Sequence, residues 1–548
     1  MKIITAVSKR FFCLLACFAL AITSFGSSQA QESAASSEAS DTVPAFAGKV
    51  TPEQWAKYSA WVETLSEEEK DWETLLQNNL GPGFYFPVYL QGRLAGRYTK
   101  DNPCDWGFVV DDPALPRVLI IGDSISRSYT AGVRAKLKGI ANVHRAPANC
   151  GSAATILAKF NDWQPDCVKK QTKRWDVIYF NTGIHDRGAG LETYKENLEK
   201  LVRLLKNQGA VLIWGRTTPC MNEKDGVEIC RQFNEASDDI MTKNGIEIDD
   251  LYSAVFDQIA NLQSPDQVHF KPEGIELLAA KAAETIKKAV EQLNAQTAKY
   301  QPCPTPQRIT RLEWINYMKL VESLPAEQQK WEQLHIKYEG YHGLLWYIVP
   351  RMNGAYTLEN PGIWGILQDD PALPRVLIIR DSISLGYTLP VRDALKGKAN
   401  VHRPPCNCGP TNAILNGLDD WLGEGKWDVI HINAGLHDRR KTDEQYRENL
   451  EKIVERLKKT GATIIWANTT PCTNEEDLIG RVETFNKIAA EVMAAHGVAI
   501  DDFYALLQPR YEELVGKDKC HYTAEGSQIM AKATTEAIEK ALKDRAGN

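Results

Sequence analysis

One segment occurs twice in this chain, and the repetition limits what the chain can fold into. The run RVLIIGDSIS contains Asp123 and Ser124, and the run RVLIIRDSIS contains Asp381 and Ser382. Each run is an apolar, β-type stretch that leads directly into a hydroxyl-bearing residue. At 548 residues the chain also exceeds what one hydrophobic core usually organises. The sequence therefore predicts two domains of the same fold.

The copying extends well beyond this segment. Aromatic and leucine positions ahead of the first run recur ahead of the second at a constant displacement, with the spacing of one helix face. They are Trp55, Tyr58, Trp61, Leu65, Trp72 and Leu75, matched by Trp314, Tyr317, Leu320, Leu324, Trp331 and Leu334. We place the repeats at residues 48–296 and 304–546, joined by a linker at 297–303, each with an N-terminal helical extension. Units of this length are duplicated domains, not solenoid modules.

Strand and helix patterns alternate within each repeat. The strands expected in the first repeat are 117–122, 141–145, 176–181, 210–215 and 246–249, and the helices are 193–207 and 273–293. This order predicts an α/β fold with a mostly parallel sheet covered by helices on both faces. Ligands of such sheets bind at the carboxyl ends of the strands. Ser124, Gly151 and His185 all follow predicted strands and are therefore expected at this edge.

The N-terminal residues predict export. A basic start, an apolar run over 11–22 and a small-residue site ending at Ala30 form the pattern of a secretory signal peptide, residues 1–30. A Ser/Ala/Glu-rich flexible tether is expected at 31–47. A lipoprotein anchor at Cys17 is the less favoured alternative, because the apolar run continues past it. We expect a periplasmic or extracellular protein without a transmembrane segment in the mature chain.

The charge balance argues against one class of partner. A quarter of the residues are charged and the net charge is −7, so the chain has no basic field of the kind that holds nucleic acid. A zinc site is also not indicated, because the paired cysteines Cys406 and Cys408 lack a second close pair of ligands. We therefore expect no metal.

Export makes the cysteines candidates for disulfides. Two of them recur just after predicted strands, which favours one equivalent bridge in each domain, and two others are present in the second repeat alone, which suggests a private pair. The three pairs are Cys150–Cys220, Cys408–Cys472 and Cys406–Cys520. Connectivity is not determined by spacing, so these pairs are hypotheses.

A second recurring motif supplies a base for the serine. A serine hydroxyl becomes nucleophilic when a base removes its proton, and that base needs a partner to orient its ring. Asp266 stands three residues before His269, just ahead of the closing helix, and Asp518 stands in the same way before His521. A single DxxH motif is weak evidence for a catalytic site. Its occurrence in both repeats, each time after a strand-terminal Asp-Ser, predicts a Ser-His-Asp arrangement.

With these motifs, each repeat resembles the SGNH/GDSL hydrolase family over nearly its whole length. GDSIS matches the first block of the family, NCG at 149–151 the second, TGIHD at 182–186 the third and DQVH at 266–269 the last. The resemblance implies a three-layer, flavodoxin-like α/β/α fold and ester hydrolysis through an acyl-enzyme, without a cofactor. The implied nucleophile, base and orienting acid are Ser124, His269 and Asp266, and in the second repeat Ser382, His521 and Asp518.

The third block departs from the family pattern. The family has GxND, whose asparagine donates a hydrogen bond to the oxyanion, whereas this chain has histidine at that position. A ring N–H is also a donor, so histidine can serve beside the backbone N–H groups. The expected oxyanion-hole residues are Gly151 and His185, with Gly409 and His437 in the second repeat. The alternative is a histidine packed at the strand end, with Asn181 or Asn149 as the donor.

Several arginines lie near predicted strand ends, where a forked guanidinium holds a carboxylate or sulfate. The candidates for substrate binding are Arg145, Arg187, Arg403, Arg439 and Arg380, with ion pairing as the alternative role. Arg380 replaces Gly122 beside the nucleophile, and it is expected either to crowd the turn or to project a cation toward the site. Asp123 and Asp381 are expected to cap the helices that follow or to fix the turn.

Together these features predict an exported serine esterase that hydrolyses O-acyl, especially O-acetyl, esters on a carbohydrate. One or both repeats are catalytic, and Trp106 and Trp364 are candidates for stacking on a sugar. Three alternatives stay open: a second repeat that binds glycan without catalysis, a lipase, and an acyltransferase. Arg380 makes the second repeat the one whose catalytic activity is less certain from sequence, although its other motif residues all occupy the positions that match those of the first repeat.

Overall fold

The structure is a computed structural model that describes residues 49–99, 103–338, 343–357, 360–475 and 479–547. The predicted signal peptide, the tether and Cys17 lie outside these residues. The chain divides into two compact units, one ending at Leu320 and the other beginning at Val321. No helix of the described ranges is long and apolar enough to cross a membrane.

The first unit begins with a small helical layer. Its elements are α1 (Pro52–Glu63), α2 (Glu67–Asn79), a π-helical turn (Gly81–Tyr85) and α3 (Phe86–Leu94). Thr51 and Ser66 start α1 and α2 with capping boxes that satisfy the first backbone N–H groups. Tyr58, Trp72 and Trp106 lie in an apolar core that belongs to this layer. The layer is the helical extension expected from the sequence.

A five-stranded parallel sheet follows in the first unit. Its elements are β1 (Arg117–Ile121), α4 (Ser124–Lys136), β2 (Asn142–Arg145), α5 (Ala153–Lys159), α6 (Asp166–Lys169), β3 (Val177–Phe180), a 3-10 turn (Ile184–Ala189), α7 (Leu191–Lys206), β4 (Val211–Gly215), α8 (Gly226–Lys243), β5 (Glu247–Asp249), α9 (Leu251–Phe256), α10 (Ile259–Leu262) and α11 (Pro272–Thr297). The strand order is β2-β1-β3-β4-β5. This is the flavodoxin-like, doubly wound order, and the predicted fold is confirmed.

The second unit has the same architecture. After α12 (Arg311–Ser323), which begins in the first unit, come α13 (Ala326–Tyr338), α14 (Gly343–Met352), β6 (Arg375–Ile379), α15 (Ser384–Ala394), β7 (Asn400–His402), α16 (Thr411–Leu422), β8 (Val429–Ile432), a 3-10 turn (Leu436–Asp438), α17 (Asp443–Lys458), β9 (Thr463–Ala467), α18 (Arg481–His496), β10 (Ala499–Asp501), α19 (Phe503–Leu507), a 3-10 turn (Gln508–Arg510), α20 (Tyr511–Leu514) and α21 (Ala524–Ala546). Its strands lie in the order β10-β9-β8-β6-β7. When the five strands of each unit are counted along the chain, this is the same order as in the first sheet, written from the opposite edge.

The two faces of each sheet are both covered. In β1, Val118 and Ile120 belong to one apolar cluster, whereas Leu119 and Ile121 belong to the cluster on the opposite face. Side chains alternate across a strand, so a strand buried on both faces must be apolar throughout. This explains why RVLII recurs without a polar interruption and why the following serine stands at the carboxyl edge of the sheet.

The boundary between the units falls later than the predicted linker at 297–303. Arg311 at the start of α12 donates to Asp176 of the first unit, with its Nη1 2.8 Å from Oδ2. Glu313 pairs with Arg174 at 2.7 Å, and Ile315 packs into one of the apolar clusters on the first sheet. The helix that resembles α1 in sequence therefore begins as part of the first unit.

The predicted disulfide pairs are wrong, because their members lie on opposite faces of a sheet. Cys150 packs in one apolar cluster of the first sheet and Cys220 in the other. The same separation divides Cys408 from Cys472, and Cys406 from Cys520. The thiols within hydrogen-bonding reach of one another are instead Cys220 with Cys230, and Cys472 with Cys520. Position after a strand does not specify the face on which a loop residue packs.

Candidate active site

The first unit brings Ser124, His269 and Asp266 together at the carboxyl edge of the sheet. Ser124 Oγ lies 2.8 Å from His269 Nε2, and His269 Nδ1 lies 2.6 Å from Asp266 Oδ2. These are hydrogen-bonding distances, and the two ring nitrogens contact the two different partners. The hydroxyl, the imidazole and the carboxylate therefore form a continuous hydrogen-bonded series, although Ser124 and His269 are 145 residues apart in the sequence.

The second unit repeats this geometry. Ser382 Oγ lies 2.8 Å from His521 Nε2, and His521 Nδ1 lies 2.6 Å from Asp518 Oδ2. Both sites are open: the side chain of His269 is 43 % exposed and that of His521 is 48 % exposed. The sequence motifs thus identified the side chains that meet in both units.

The DxxH loop is shaped by its own aspartate. Asp266 Oδ1 accepts from the backbone N–H of Val268 at 3.1 Å and of His269 at 2.9 Å, while Gln267 adopts a left-handed φ of 57°. The hydrogen bond from the imidazole and these backbone bonds lower the pKa of Asp266 to about 2. The carboxylate therefore stays ionised at any ordinary pH, and it holds the ring that faces Ser124.

The turn at the nucleophile places Ser124 at a helix N-terminus. Asp123 is the N-cap of α4, and its carboxylate accepts from the backbone N–H of Ile125 at 2.9 Å. The predicted capping role is confirmed for Asp123. Asp381 accepts from the backbone N–H of Ile383 at 3.1 Å, but the following helix begins at Ser384 with Ile383 as its N-cap, so Asp381 fixes the turn and does not cap the helix. The Ser124 N–H is in the first turn of the helix, where N–H groups have no intrahelical acceptor.

Asp186 and Asp438, which the sequence analysis left without a role, anchor the loop that carries the third block. Asp186 is buried, and its carboxylate accepts from the backbone N–H of Ala153, at the start of α5, at 3.0 Å. Asp438 accepts from Thr411 N–H in the same way at 3.0 Å. Burial raises the pKa of both carboxyls. The loop with the histidine is thereby tied to the loop with Gly151 or Gly409, and the recurrence of the His-Asp pair was the available signal.

The third-block loop also requires its glycine. Gly183 has a φ of 145°, and a Cβ at this position would stand 2.3 Å from Thr217 Oγ1. The following His185 is exposed at the surface. In the second unit, His437 Nε2 lies 4.0 Å from Asp381 Oδ2, beside the residue that precedes the nucleophile.

Of the two alternative donors, Asn181 is committed elsewhere. Its Nδ2 donates to the backbone carbonyl of Gly215 at 2.7 Å, and Asn433 makes the equivalent bond to Ala467 at 2.7 Å. Asn149 Nδ2 donates to the hydroxyl of Tyr85 at 3.2 Å. These contacts favour the exposed histidine as the side-chain donor.

Arg145 and Arg403 do not face a substrate. Both are fully buried, and Arg145 Nη2 donates to the carbonyls of Gly122 at 2.9 Å and Asp123 at 2.7 Å. Its Nη1 donates to the carbonyl of Ala148 at 2.7 Å. The correction has a simple physical reason: these guanidinium groups satisfy main-chain acceptors around the nucleophile turn and are shielded from solvent.

Arg187 and Arg439 stand closer to the surface but are also occupied. Arg187 Nε donates to the carbonyl of Ile184 at 2.9 Å, and its Nη1 pairs with Glu223. Arg439 donates to the carbonyl of Leu436 at 2.9 Å and to Asn474 at 2.9 Å. Both arginines hold the third-block loop, which is the ion-pairing and structural alternative to substrate binding.

Arg380 does not project into the site either. It is 1 % exposed, and its guanidinium carbon lies 4.8 Å from the ring centre of Phe503, a cation–π distance. Its Nε and Nη1 have no hydrogen-bond partner among the described residues. The equivalent of Phe503 in the first unit is Leu251. In the second unit the additional guanidinium is therefore buried next to the nucleophile turn, against the ring of Phe503.

Arg380 instead crowds the turn, as the other half of the prediction proposed. A Cβ at Gly122 would stand 2.7 Å from Ser126 Oγ, so a side chain here displaces the start of the following helix. In the second unit the helix begins at Ser384, two residues beyond the nucleophile, after a turn in which Leu385 N–H donates to Ser382 O at 3.1 Å. The first unit starts its helix at the nucleophile itself.

The hydrogen bonds from the buried arginine to the nucleophile turn are longer in the second unit. Arg403 Nη2 lies 3.3 Å from the carbonyl oxygen of Arg380 and 3.5 Å from that of Asp381. The corresponding distances from Arg145 are 2.9 Å and 2.7 Å. Despite this difference, the distance between serine Oγ and histidine Nε2 is the same in the two units.

Comparisons with known proteins give one family match and several similar solved structures. The model of the GDSL-like lipase/acylhydrolase family matches residues 407–529. No curated relative matches the chain. Similar solved structures include a lipase/acylhydrolase from Enterococcus faecalis (20 % identity, TM-score 0.28, 30 % of this chain and 96 % of that chain). Two others are a putative SGNH hydrolase from Slackia heliotrinireducens (18 %, 0.27, 30 % and 99 %) and an acetylxylan esterase from Geobacillus stearothermophilus (14 %, 0.27, 30 % and 93 %).

The crowded turn predicts an effect of Arg380→Gly on hydrolysis of a small ester. In a Ser124→Ala background, the substitution allows the helix to begin nearer Ser382. We expect kcat/KM to rise by about tenfold, because the backbone N–H of Ser382 would then lie at a helix N-terminus, as that of Ser124 does. The matched change, Gly122→Arg in a Ser382→Ala background, is expected to lower kcat/KM and the melting temperature. Unchanged kinetics after Arg380→Gly would make this arginine a bystander.

Proposed function

We propose that this chain, whose residues 407–529 match the GDSL-like lipase/acylhydrolase family, is a carboxylic ester hydrolase that removes O-acyl groups, especially acetyl groups, from a carbohydrate. The reaction runs through an acyl-enzyme in both repeats. The observation that supports this most strongly is the serine-histidine-aspartate chain, with distances of 2.8 Å and 2.6 Å in each unit. No metal or organic cofactor takes part in the proposal.

In the proposed reaction, His269 Nε2 accepts the proton of Ser124 Oγ while that oxygen attacks the ester carbonyl carbon. Asp266, ionised and hydrogen-bonded to Nδ1, orients the ring and stabilises the imidazolium. The tetrahedral intermediate collapses as the C–O bond to the alcohol breaks and the imidazolium protonates the leaving oxygen. Water then attacks the acyl-enzyme with the same base, which releases the carboxylic acid and regenerates the serine.

The negative charge that develops on the carbonyl oxygen needs donors. The proposed set in the first unit is the backbone N–H of Ser124, at the N-terminus of α4, the backbone N–H of Gly151 and the ring of His185. The aspartate anchor from Asp186 to the N-terminus of α5 supports this set, because it holds the third-block loop against the second-block loop. In the second unit the corresponding side chain is His437.

The exposure of the site supports a substrate larger than a free small ester. The carboxylate of Asp266 is 51 % exposed and that of Asp518 is 49 % exposed, so the reacting groups lie at an open surface. An acyl group that projects from a polysaccharide or oligosaccharide can reach such a surface without being enclosed. Export, which rests on the signal-peptide pattern of residues 1–30, would place the enzyme where glycans of this kind occur.

The second repeat is proposed to be catalytic and not only a glycan-binding copy. Its serine and histidine are at the same distance as in the first repeat, and Asp518 keeps both its ring and backbone contacts. Hydrogen bonds to His521 lower the pKa of Asp518 against the opposing effect of its burial. A copy retained for binding alone would not require this alignment.

Acetate release from an acetylated oligosaccharide tests the proposal. Ser124→Ala and Ser382→Ala are each expected to retain turnover from the other site, and the double variant is expected to lose at least 10³-fold in kcat because both nucleophiles are gone. Circular dichroism of the double variant serves as the folding control. Full activity in the double variant, or none in the wild-type protein, would contradict the proposal.

The oxyanion role of His185 has its own test. In a Ser382→Ala background, His185→Ala is expected to lower kcat by about a hundredfold with little change in KM, because a donor to the transition state is removed. His185→Asn, which restores a side-chain donor, is expected to recover part of the rate. If His185→Ala left kcat unchanged, the histidine would be only a surface residue.

A further inference from the structure

The first unit has a group of polar and aromatic side chains next to its nucleophile. Arg127 follows Ser124 by three positions in α4, so the two residues share a helix face. Its Nη1 donates to Asp105 Oδ2 at 3.3 Å, and its guanidinium carbon lies 5.7 Å from the ring centre of Tyr85 and 5.5 Å from that of Trp106. We call Tyr85, Asp105, Trp106 and Arg127 the polar shelf.

The polar shelf borders the loop that carries Gly151 as well as the nucleophile. The hydroxyl of Tyr85 accepts from Asn149 Nδ2 at 3.2 Å, two residues before Gly151. Phe84 beside it is 61 % exposed, and its ring centre lies 5.2 Å from that of Tyr85. The alcohol portion of an ester bound at Ser124 can therefore extend over this surface.

The charged pair of the polar shelf is accessible, whereas its tryptophan is not. The side chains of Arg127 and Asp105 are 32 % and 23 % exposed. Trp106 is 4 % exposed, so it supports Arg127 from below and does not present a face to a sugar, contrary to the sequence-based suggestion. A ligand on the polar shelf would meet guanidinium and carboxylate groups and the ring of Phe84.

The second unit keeps the framework and loses the polar groups. Trp364, the counterpart of Trp106, is buried with its ring centre 4.6 Å from the guanidinium carbon of Arg403. The residues at the positions of Arg127 and Asp105 are Leu385 and Ile363, both half-buried. A third change, from tyrosine to glycine, occurs where Tyr85 aligns with Gly343, one residue having been lost between the helices. Both members of the ion pair have been replaced together by aliphatic side chains.

This difference has a consequence for the leaving alcohol. A guanidinium paired with a carboxylate offers donors and acceptors that match the hydroxyl groups of a sugar ring. An aliphatic pair offers none, and hydroxyl groups pressed against it lose their hydrogen bonds to water without replacement, at a cost in binding. Apolar alcohols have the opposite preference, because the aliphatic pair takes up their surface.

We propose that the two sites differ in leaving-group specificity. The first site prefers esters of a polyhydroxylated alcohol, a sugar, which binds on the polar shelf. The second site also cleaves sugar esters, but it prefers esters of an apolar alcohol, which packs beside Leu385 and Ile363. This inference rests on the proposed esterase function of both units. It assigns Arg127 and Asp105 as specificity residues of the first site.

The test compares an O-acetylated methyl glycoside with cyclohexyl acetate, an ester with an apolar ring of similar size. The measured quantity is the ratio of kcat/KM for the glycoside to kcat/KM for cyclohexyl acetate. We expect this ratio to be at least tenfold higher in Ser382→Ala, where the first site works alone, than in Ser124→Ala. Adding Arg127→Leu with Asp105→Ile to the first protein should lower the ratio about tenfold, and adding Leu385→Arg with Ile363→Asp to the second should raise it.

A matched pair on α7 provides the control. Arg203→Leu with Glu199→Ile removes a surface ion pair of the first unit, with N–O distance 3.9 Å, and is expected to leave the ratio unchanged. Equal ratios in the two single-serine proteins would overturn the inference even if an exchange variant failed to fold. The inference would also be overturned if the exchange variants were folded and their ratios were unchanged. Hydrolysis of neither ester by either single-serine protein would overturn the proposed function instead.

Discussion

The active-site edge of the first unit depends on one buried guanidinium. Arg145 donates at once to the carbonyls of residues 122, 123 and 148, so it joins the turn of the nucleophile to the loop that ends at Gly151. The carbonyl of Gly122 also accepts from the backbone N–H of Cys150 at 3.2 Å, and that of Asp123 from Ser126 Oγ at 2.7 Å, so the guanidinium adds charge-assisted bonds that link the two segments. The serine then stands at a helix N-terminus, within reach of a histidine whose ring is fixed by an aspartate in its own loop. The arginine that sequence reasoning assigned to a substrate is thus the centre of the scaffold.

The second unit shows how far this arrangement tolerates change. Arg380 places a side chain where the first unit has Gly122, and the residues around it differ as well. Phe503 stands where the first unit has leucine, and His431, whose ring centre lies 5.9 Å from that of Phe503, stands where it has Tyr179. A buried cation is costly unless its surroundings compensate, and the aromatic ring at 4.8 Å is one compensation. The helix begins two residues later and the hydrogen bonds from Arg403 to the turn are longer, yet the serine–histidine distance is preserved. The crowding is absorbed by the helix and not by the reacting groups.

Sequence reasoning succeeded where the requirement is periodic or repeated. The RVLII runs predict strands buried on both faces, and the recurrence of Asp-Ser with DxxH identified the groups that meet in both units. It failed where the answer depends on the side of the sheet on which a loop residue packs. Arg145 and Arg403 turned inward to main-chain acceptors, and the cysteine pairs were assigned across the sheet. Asp186 was missed because its partner is a backbone N–H: the recurrence of the His-Asp pair marks the position but does not identify the group that the carboxylate contacts.

The central claim is that two equally aligned serines act as nucleophiles in one chain. Reaction of the intact protein with a fluorophosphonate, followed by intact-mass measurement and peptide mapping, tests it directly, since the reagent forms a stable adduct with an activated serine. The account predicts two adducts per chain, one on Ser124 and one on Ser382, with slower labelling of Ser382 because of its crowded turn. A single adduct, or adducts on other serines, would contradict it.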